Sequence, residues 1–251
     1  MTFNDTSTAK SGLIQQCEIN LFGDAPFGQI SNNTNRLAIF TNYLNEAVSR
    51  YAHIALMSDY NWEFDDRNNT DIPIGKTPVT SGQQDYSFAT EHDIVSAVEF
   101  KNSANQWYAL DEIDERFFSE NNVSITQYMA GATGLPTQYA KVANSIFLFP
   151  APNVTDTPGD NTTWSLKVHF KRAPTHYTVA DTTKVQGFTE LHATYPSDYA
   201  SWKYASNRSM PMTNRLRTEI QIWEEQKIPD FYSKRSAEHS KIIRPKYKTS
   251  R

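Results

Sequence analysis

The residues able to do chemistry are few, and their spacing decides what each set is good for. The densest acidic run, LDEIDERF, holds Asp111, Glu112, Asp114 and Glu115. Paired carboxylates perform acid–base hydrolysis of glycosidic bonds when the fold fixes their separation. Spacing alone implies a charged outer face, with a cell-wall hydrolase as a distant alternative. DDRNNTD, from Asp65 to Asp71, resembles a calcium loop superficially. Counted from Asp66, the sixth position is Asp71 where such a loop has glycine, and the twelfth is Thr77 where it has glutamate. IGKT, from Ile74 to Thr77, has the end of a phosphate-binding loop, but Thr70 stands where the first glycine belongs. The histidines at 53, 92, 169, 176, 192 and 239 form no metal-ligand pair at helical spacing, and no G-x-S-x-G is present. Cys17 is the sole cysteine, which excludes an internal disulfide or a cysteine-based metal site. No catalytic residue, metal or cofactor is expected, and the chain is read as a non-enzyme.

The elements that would position any of these groups follow from hydrophobic period. SGLIQQCEINLFGD sets Leu13, Ile14, Cys17 and Leu21 on one helical face and stops at Gly23. TNRLAIFTNYLNEAVSRYAHIALMSD predicts the strongest helix, with Leu37, Phe40, Leu44, Ala47, Val48, Tyr51, Ile54 and Ala55 in one stripe. From Ile72 the period shortens. IPIGKTPVT, QDYSFAT, DIVSAVEFKN, NQWYAL, SITQYMAG, TQYAKVAN, SIFLFPAP and TWSLKVHFKRAP read as strands, with Trp164, Leu166, Val168 and Phe170 inward in the last. After Pro174 helices return in PSDYASWKYASNRSM and TNRLRTEIQIWEEQKI, where Leu216, Ile220 and Trp223 share a face and Pro229 breaks or restarts the helix. The predicted fold is α+β: an antiparallel β-meander or sandwich core flanked by N- and C-terminal helices, with an extended C-terminal arm. The expected division is a helical part at 1–70, a β-rich core at 71–180, a helical part at 181–234 and a basic arm at 235–251, with 1–234 as one compact domain.

Composition adds two constraints. Aromatics make up 13% and mean hydropathy is −0.62, which suits a β-rich body or one whose surfaces become interfaces. No apolar run has signal-peptide or membrane-spanning character, so a soluble chain made in a cytosol is expected. Charge is lopsided: residues 1–233 hold 17 basic and 27 acidic groups, while 234–251 hold seven basic groups and only Glu238 opposing them. An acidic body with a basic arm seeks an acidic partner.

TGLPTQYAKVANSIFLFPAP, from Thr133 to Pro152, reads as a turn, a strand, a turn and a second strand ended by Pro150 and Pro152. It resembles a motif G-x-P-x-x-Y…I-x-L-x-P-x-P, without that motif's second glycine. LFGDAPFG resembles a helix ending in a G-[ED]-x-P turn. DYNWEFDD resembles a G-W-x-F segment with Asn61 for the glycine, and QQDYSFATEHDIVSAVEF resembles a Y-x-L-P-x-D strand with Phe88-Ala89 for Leu-Pro. In this order the segments resemble the head–tail connector, or portal adaptor, family of tailed bacteriophages, which includes podophage tail tubular protein A and ring proteins of crAss-like phages.

The resemblance implies a structural virion protein of the neck or tail, made in the host bacterial cytoplasm. It implies a self-assembled ring, usually a dodecamer, docked beneath the portal protein. Such a ring extends the channel through which double-stranded DNA passes without sequence-specific contact, and it carries the downstream tail or ring proteins. It also implies a portal-binding C-terminal arm. Here Ile242, Ile243 and Tyr247 are expected in apolar grooves, and Lys241, Arg244, Lys246, Lys248 and Arg251 against acidic portal groups or, as a rival, DNA. The alternative from another class is a carbohydrate- or receptor-binding β-domain of a phage tail, with Trp107, Tyr108 and Tyr128 as stacking platforms.

Overall fold

The structure is a computed structural model that describes residues 1–5, 11–23, 27–58, 73–88, 92–102, 106–113, 132–142, 144–155, 165–187 and 189–239. The fold is α+β. It divides into two compact units: residues 1–70 with 174–251, and residues 71–173. The sequence expectation of one compact body over 1–234 differs from this division. The two predicted helical parts, far apart in the chain, share one core, and the β-rich segment builds another.

In the helical unit, α1 (Leu13–Phe22) buries Leu13, Ile14, Cys17 and Leu21. Its N-cap residue, Gly12, has no side chain to offer, so the first-turn amides look elsewhere. Leu13 N–H donates to the Thr2 carbonyl at 2.9 Å and Ile14 N–H to the Phe3 carbonyl at 3.1 Å. Phe3 is thereby drawn into the core, fully buried and stacked on Tyr177 at 4.7 Å. Gly23 closes the helix at φ +60, a conformation glycine adopts without strain. Helix α2 (Thr34–Ser58) is capped by Asn33, whose Oδ1 accepts from Arg36 N–H at 3.0 Å. Its buried stripe runs Phe40, Leu44, Ala47, Val48, Tyr51 and Ala55. Leu37 and Ile54 lie only partly buried at its margins.

The surface that this stripe needs comes from the end of the chain. Helix α3 (Tyr195–Asn207) and helix α5 (Ile228–His239) both pack on α2, and α3 also packs on α1 and on α4 (Thr213–Ile222). Leu216, Ile220 and Trp223 are buried together as their spacing predicts. Between α4 and α5 the chain widens into a π turn, Trp223–Lys227, with Ile228 N–H bonded to the Trp223 carbonyl five residues back. Pro229 follows directly. A prolyl ring clashes with the carbonyl four residues earlier in a regular helix, and the wider turn lets the chain resume helix past it. Helix α5 runs to His239, so the expected boundary at 234/235 falls inside it.

The β unit contains two four-stranded sheets. One has the order β1 (Ile74–Pro78), β10 (Ser165–Arg172), β3 (His92–Lys101), β4 (Trp107–Ala109). The other has the order β2 (Asp85–Ser87), β8 (Ser145–Phe149), β7 (Gln138–Val142), β5 (Asp111–Glu112). Val98, Phe100, Leu166 and Val168 from the first and Tyr86, Tyr139, Ile146 and Leu148 from the second form one apolar cluster, as two packed sheets do. The order is not sequential, since β10 inserts between β1 and β3, so of the two forms expected this is a sandwich and not a meander. On β10, Leu166, Val168 and Phe170 point inward as predicted. Ser165 and Lys171 are buried too, and the register with β3 slips after His169 and again after Lys171. Trp164 and the strand expected at SITQYMAG lie outside the described residues.

Candidate functional site

The segment with the tidiest sequence signature is also the most tightly closed. β7 and β8 pair antiparallel from Gln138↔Phe149 to Val142↔Ser145, putting Tyr139, Ile146 and Leu148 in the core. The flanks then clasp: β6 (Thr133–Gly134) runs parallel to β9 (Ala151–Pro152). Thr137 N–H donates to the Phe149 carbonyl at 2.9 Å, and Asn153 N–H donates to the Gly134 carbonyl at 3.1 Å. A β-carbon at Gly134 would lie 3.3 Å from Pro150 Cγ, so glycine is what lets the proline seat there. The Phe149–Pro150 peptide bond is cis.

On the outer face of the first sheet, the register aligns Lys76, Lys167 and Glu99 across three strands. Lys167 Nζ bonds Glu99 and sits 4.0 Å from the centroid of the Trp107 ring; Lys101 Nζ lies 5.8 Å from it. The Lys167 bond, assisted by His169, holds the Glu99 carboxyl below its usual range. Of the aromatics considered as stacking platforms, Trp107 thus has an ammonium over its face, and Tyr108 packs on Phe100 and donates its hydroxyl to the Pro136 carbonyl at 2.9 Å. Tyr128 lies outside the described residues.

The acidic pair at Asp111 and Glu112 is exposed on β5. Glu112 accepts from the Tyr139 hydroxyl at 3.2 Å and pairs with Lys141 at 2.9 Å. Asp114, Glu115 and the 65–71 loop fall outside the described residues. IGKT forms β1, an extended edge strand. The portal-binding arm, Lys241, Ile242, Ile243, Arg244, Lys246, Tyr247, Lys248 and Arg251, also lies outside them.

The helical unit contains a polar framework that sequence reasoning missed. Glu18, 3% exposed, accepts from the backbone N–H groups of Gly28, Ile30 and Ser31 at 3.1, 2.7 and 2.9 Å, fixing the chain after α1. Tyr51 joins the His192 ring and Tyr232 through its hydroxyl, each at 2.8 Å. Burial, then nearby Lys227, lowers the His192 pKa to about 4, so the imidazole is neutral at pH 7. Asp198 accepts from Asn20 at 3.0 Å and from the Trp223 indole at 3.2 Å; burial outweighs both bonds and lifts its pKa to about 6. Glu224 pairs with Arg50 and accepts from Tyr195, and Glu46 pairs with Lys203 and accepts from Tyr199. Burial pushes the Cys17 thiol far up, away from thiolate reactivity. These groups tie helices to one another and to the loops between them. The signal for them was weak: polar residues inside an apolar stripe, such as Glu18 one position after Cys17.

Among the described residues no three His, Cys, Asp or Glu side chains gather in a way that would hold a metal ion, and no helix is long and apolar enough to cross a membrane. No protein-family model matches the chain, and no curated protein matches it at a significant level.

Proposed function

We propose that this protein is a structural virion component of a tailed bacteriophage, a head–tail connector whose copies close into a ring beneath the portal. In this role it extends the DNA channel and offers a platform to tail proteins, and it makes and breaks no covalent bond. The observation that carries the proposal is the clasped hairpin: the residues that resemble the family motif fold as one closed unit from Thr133 to Pro152. The segment resembling the helix–turn opening is likewise a fixed turn, with Gly28, Ile30 and Ser31 bonded to Glu18. A protein acting through shape needs rigid turns at set positions, and both segments meet that need.

The charge distribution fits the same role. Residues 1–233 carry a balance of −10 from 17 basic and 27 acidic groups. Acidic groups along a channel repel duplex phosphate and let DNA slide. A ring also requires two different complementary faces on each copy. The basic arm reaches the portal, with Ile242, Ile243 and Tyr247 as apolar anchors and Lys241, Arg244, Lys246, Lys248 and Arg251 as the charged set. Electron microscopy of the full chain mixed with purified portal tests this. The expected result is a closed ring docked on the portal. Deleting residues 240–251 is expected to leave circular dichroism and the melting curve unchanged while abolishing portal binding. Unchanged portal affinity in the deletion would remove the arm from the proposal. A full chain that neither docks nor forms rings would refute the proposal itself.

A further inference from the structure

The edge of the first sheet carries a second docking feature, independent of the ring. Strand β1 pairs with β10 on one side, and among the described residues no strand pairs with its other side. Which peptide groups face outward follows from one bond. Phe170 N–H donates to the Pro73 carbonyl at 3.2 Å, making these two residues a hydrogen-bonded pair. Antiparallel ladders alternate hydrogen-bonded and non-bonded pairs. With Ile74 opposite His169 and Gly75 opposite Val168, the groups of Gly75 and Thr77 face β10, and those of Ile74 and Lys76 face outward. Pro78 ends the edge, having no N–H to offer.

Side chains alternate in the same way. Gly75 and Thr77 oppose Val168 and Leu166, both core residues, so they lie on the inner face, where Gly75 contributes no side chain. A partly open cavity of about 140 Å³ lies there, lined by Gly75, Tyr86, Phe88, Ile146, Leu166 and Val168 among others. Apolar cavities of roughly 150 Å³ take a benzene-sized group, so one aliphatic side chain fills this one. Lys76 lies on the opposite face and is exposed. Lys167 beside it is already bonded to Glu99, whereas Lys76 has no carboxylate partner among the described residues.

We propose that the β1 edge and its cavity form a docking site for an extended peptide of a separate partner protein. The peptide adds as a strand, lays one aliphatic side chain in the cavity, and sets acidic residues on either side of it against Lys76. Free outward peptide groups call for an extended chain, the cavity for an aliphatic residue, and Lys76 for a carboxylate. A second copy's β1 meets only the first demand, because it brings glycine and threonine to the cavity and lysine beside lysine.

The probe is the synthetic peptide acetyl-Thr-Glu-Ile-Glu-Thr-amide, titrated into the ¹⁵N-labelled full chain and followed by amide chemical shifts. Saturable shifts centred on Ile74, Gly75, Lys76 and Thr77 are expected. Replacing the peptide's isoleucine by glycine should weaken binding on the order of ten- to a hundredfold. Lys76→Glu, at an exposed position that leaves the fold intact, should weaken binding of the parent peptide about fivefold. Absence of saturable shifts, equal binding of the glycine peptide, or shifts confined elsewhere would overturn the proposal. A self-association in sedimentation that Lys76→Glu dissolves would overturn it in favour of a second copy.

Discussion

Replacing Glu18 tests whether the buried polar framework, and not the apolar stripe alone, holds the turn after α1. Its carboxylate receives three backbone amides and the Ser31 hydroxyl, the last at 3.1 Å. In Glu18→Ala the Ile30 amide, in a fully buried residue, loses its acceptor where water cannot replace it, a loss of about 1–3 kcal/mol. Gly28 and Ser31 are half-buried and regain water, so each contributes only about 0.5–1.5 kcal/mol. Together these give a destabilisation of about 2–5 kcal/mol. Glu18→Gln keeps one acceptor oxygen for Ile30 and Ser31 but turns an amide nitrogen toward Gly28, so roughly half that loss is expected. Urea denaturation followed by far-UV circular dichroism measures the total. Amide hydrogen exchange locates it, with protection falling first at Gly28, Ile30 and Ser31. A loss below about 0.5 kcal/mol in the alanine variant, with Ile30 exchange unchanged, would refute the view that this carboxylate organises the turn.

Tyr51→Phe removes the hydroxyl shared by His192 and Tyr232 and should cost about 1–3 kcal/mol; because the two bonds share one atom, the Tyr51→Phe/Tyr232→Phe double variant should cost less than the two single changes added, as denaturation midpoints will show. Asp198 and His192 oppose each other in acid. The Asp198 pKa is raised to about 6 in the folded state, so folding takes up a proton below that pH and this group stabilises as pH falls. His192 is lowered to about 4, so below its ordinary value near 6.5 the unfolded chain protonates first and stability is lost until pH falls to about 4. Asp198→Asn should therefore unmask a fall in stability between pH 6.5 and 4, read from melting temperature against pH. The same variant should abolish a tryptophan fluorescence transition near pH 6 that arises from the Trp223 indole bonded to Asp198. Leu148→Ala, at a fully buried position between the sheets, should cost about 2–5 kcal/mol in the β unit's unfolding transition.

The elements were legible in the sequence because their signals are local. The stripe from Phe40 to Ala55 and the alternation from Leu166 to Phe170 name their own buried faces. What joins the elements was not legible, since each link pairs residues far apart in the chain. Nothing around Phe3 indicates that the carbonyls of Thr2 and Phe3 will cap α1. Nor does any local pattern say that β10 enters between β1 and β3, or that residues 174–239 complete the core begun by 1–58. Pro229 announced a break; the wider turn before it depends on Trp223, Ile228 and Tyr232 all being buried against the same neighbours.

IGKT illustrates how a chemical motif and a mechanical one use the same residues. As a phosphate loop it fails for want of a glycine at Thr70. As an edge strand, each residue has a consequence that the motif comparison does not contain: Gly75 omits a side chain on the inner face, Lys76 places a cation on the outer face, and the turn to Pro78 removes an N–H. The buried acids of the helical unit follow the same logic. Glu18 carries a charge into the core and spends it on holding a turn, and Asp198 carries one whose pKa is raised because the site favours packing over solvation. A burial cost of that kind is retained when the position of a loop or helix matters more than the last increment of stability. In a subunit that works through the fit of its faces, a turn displaced by an ångström is a lost contact in every copy of the ring.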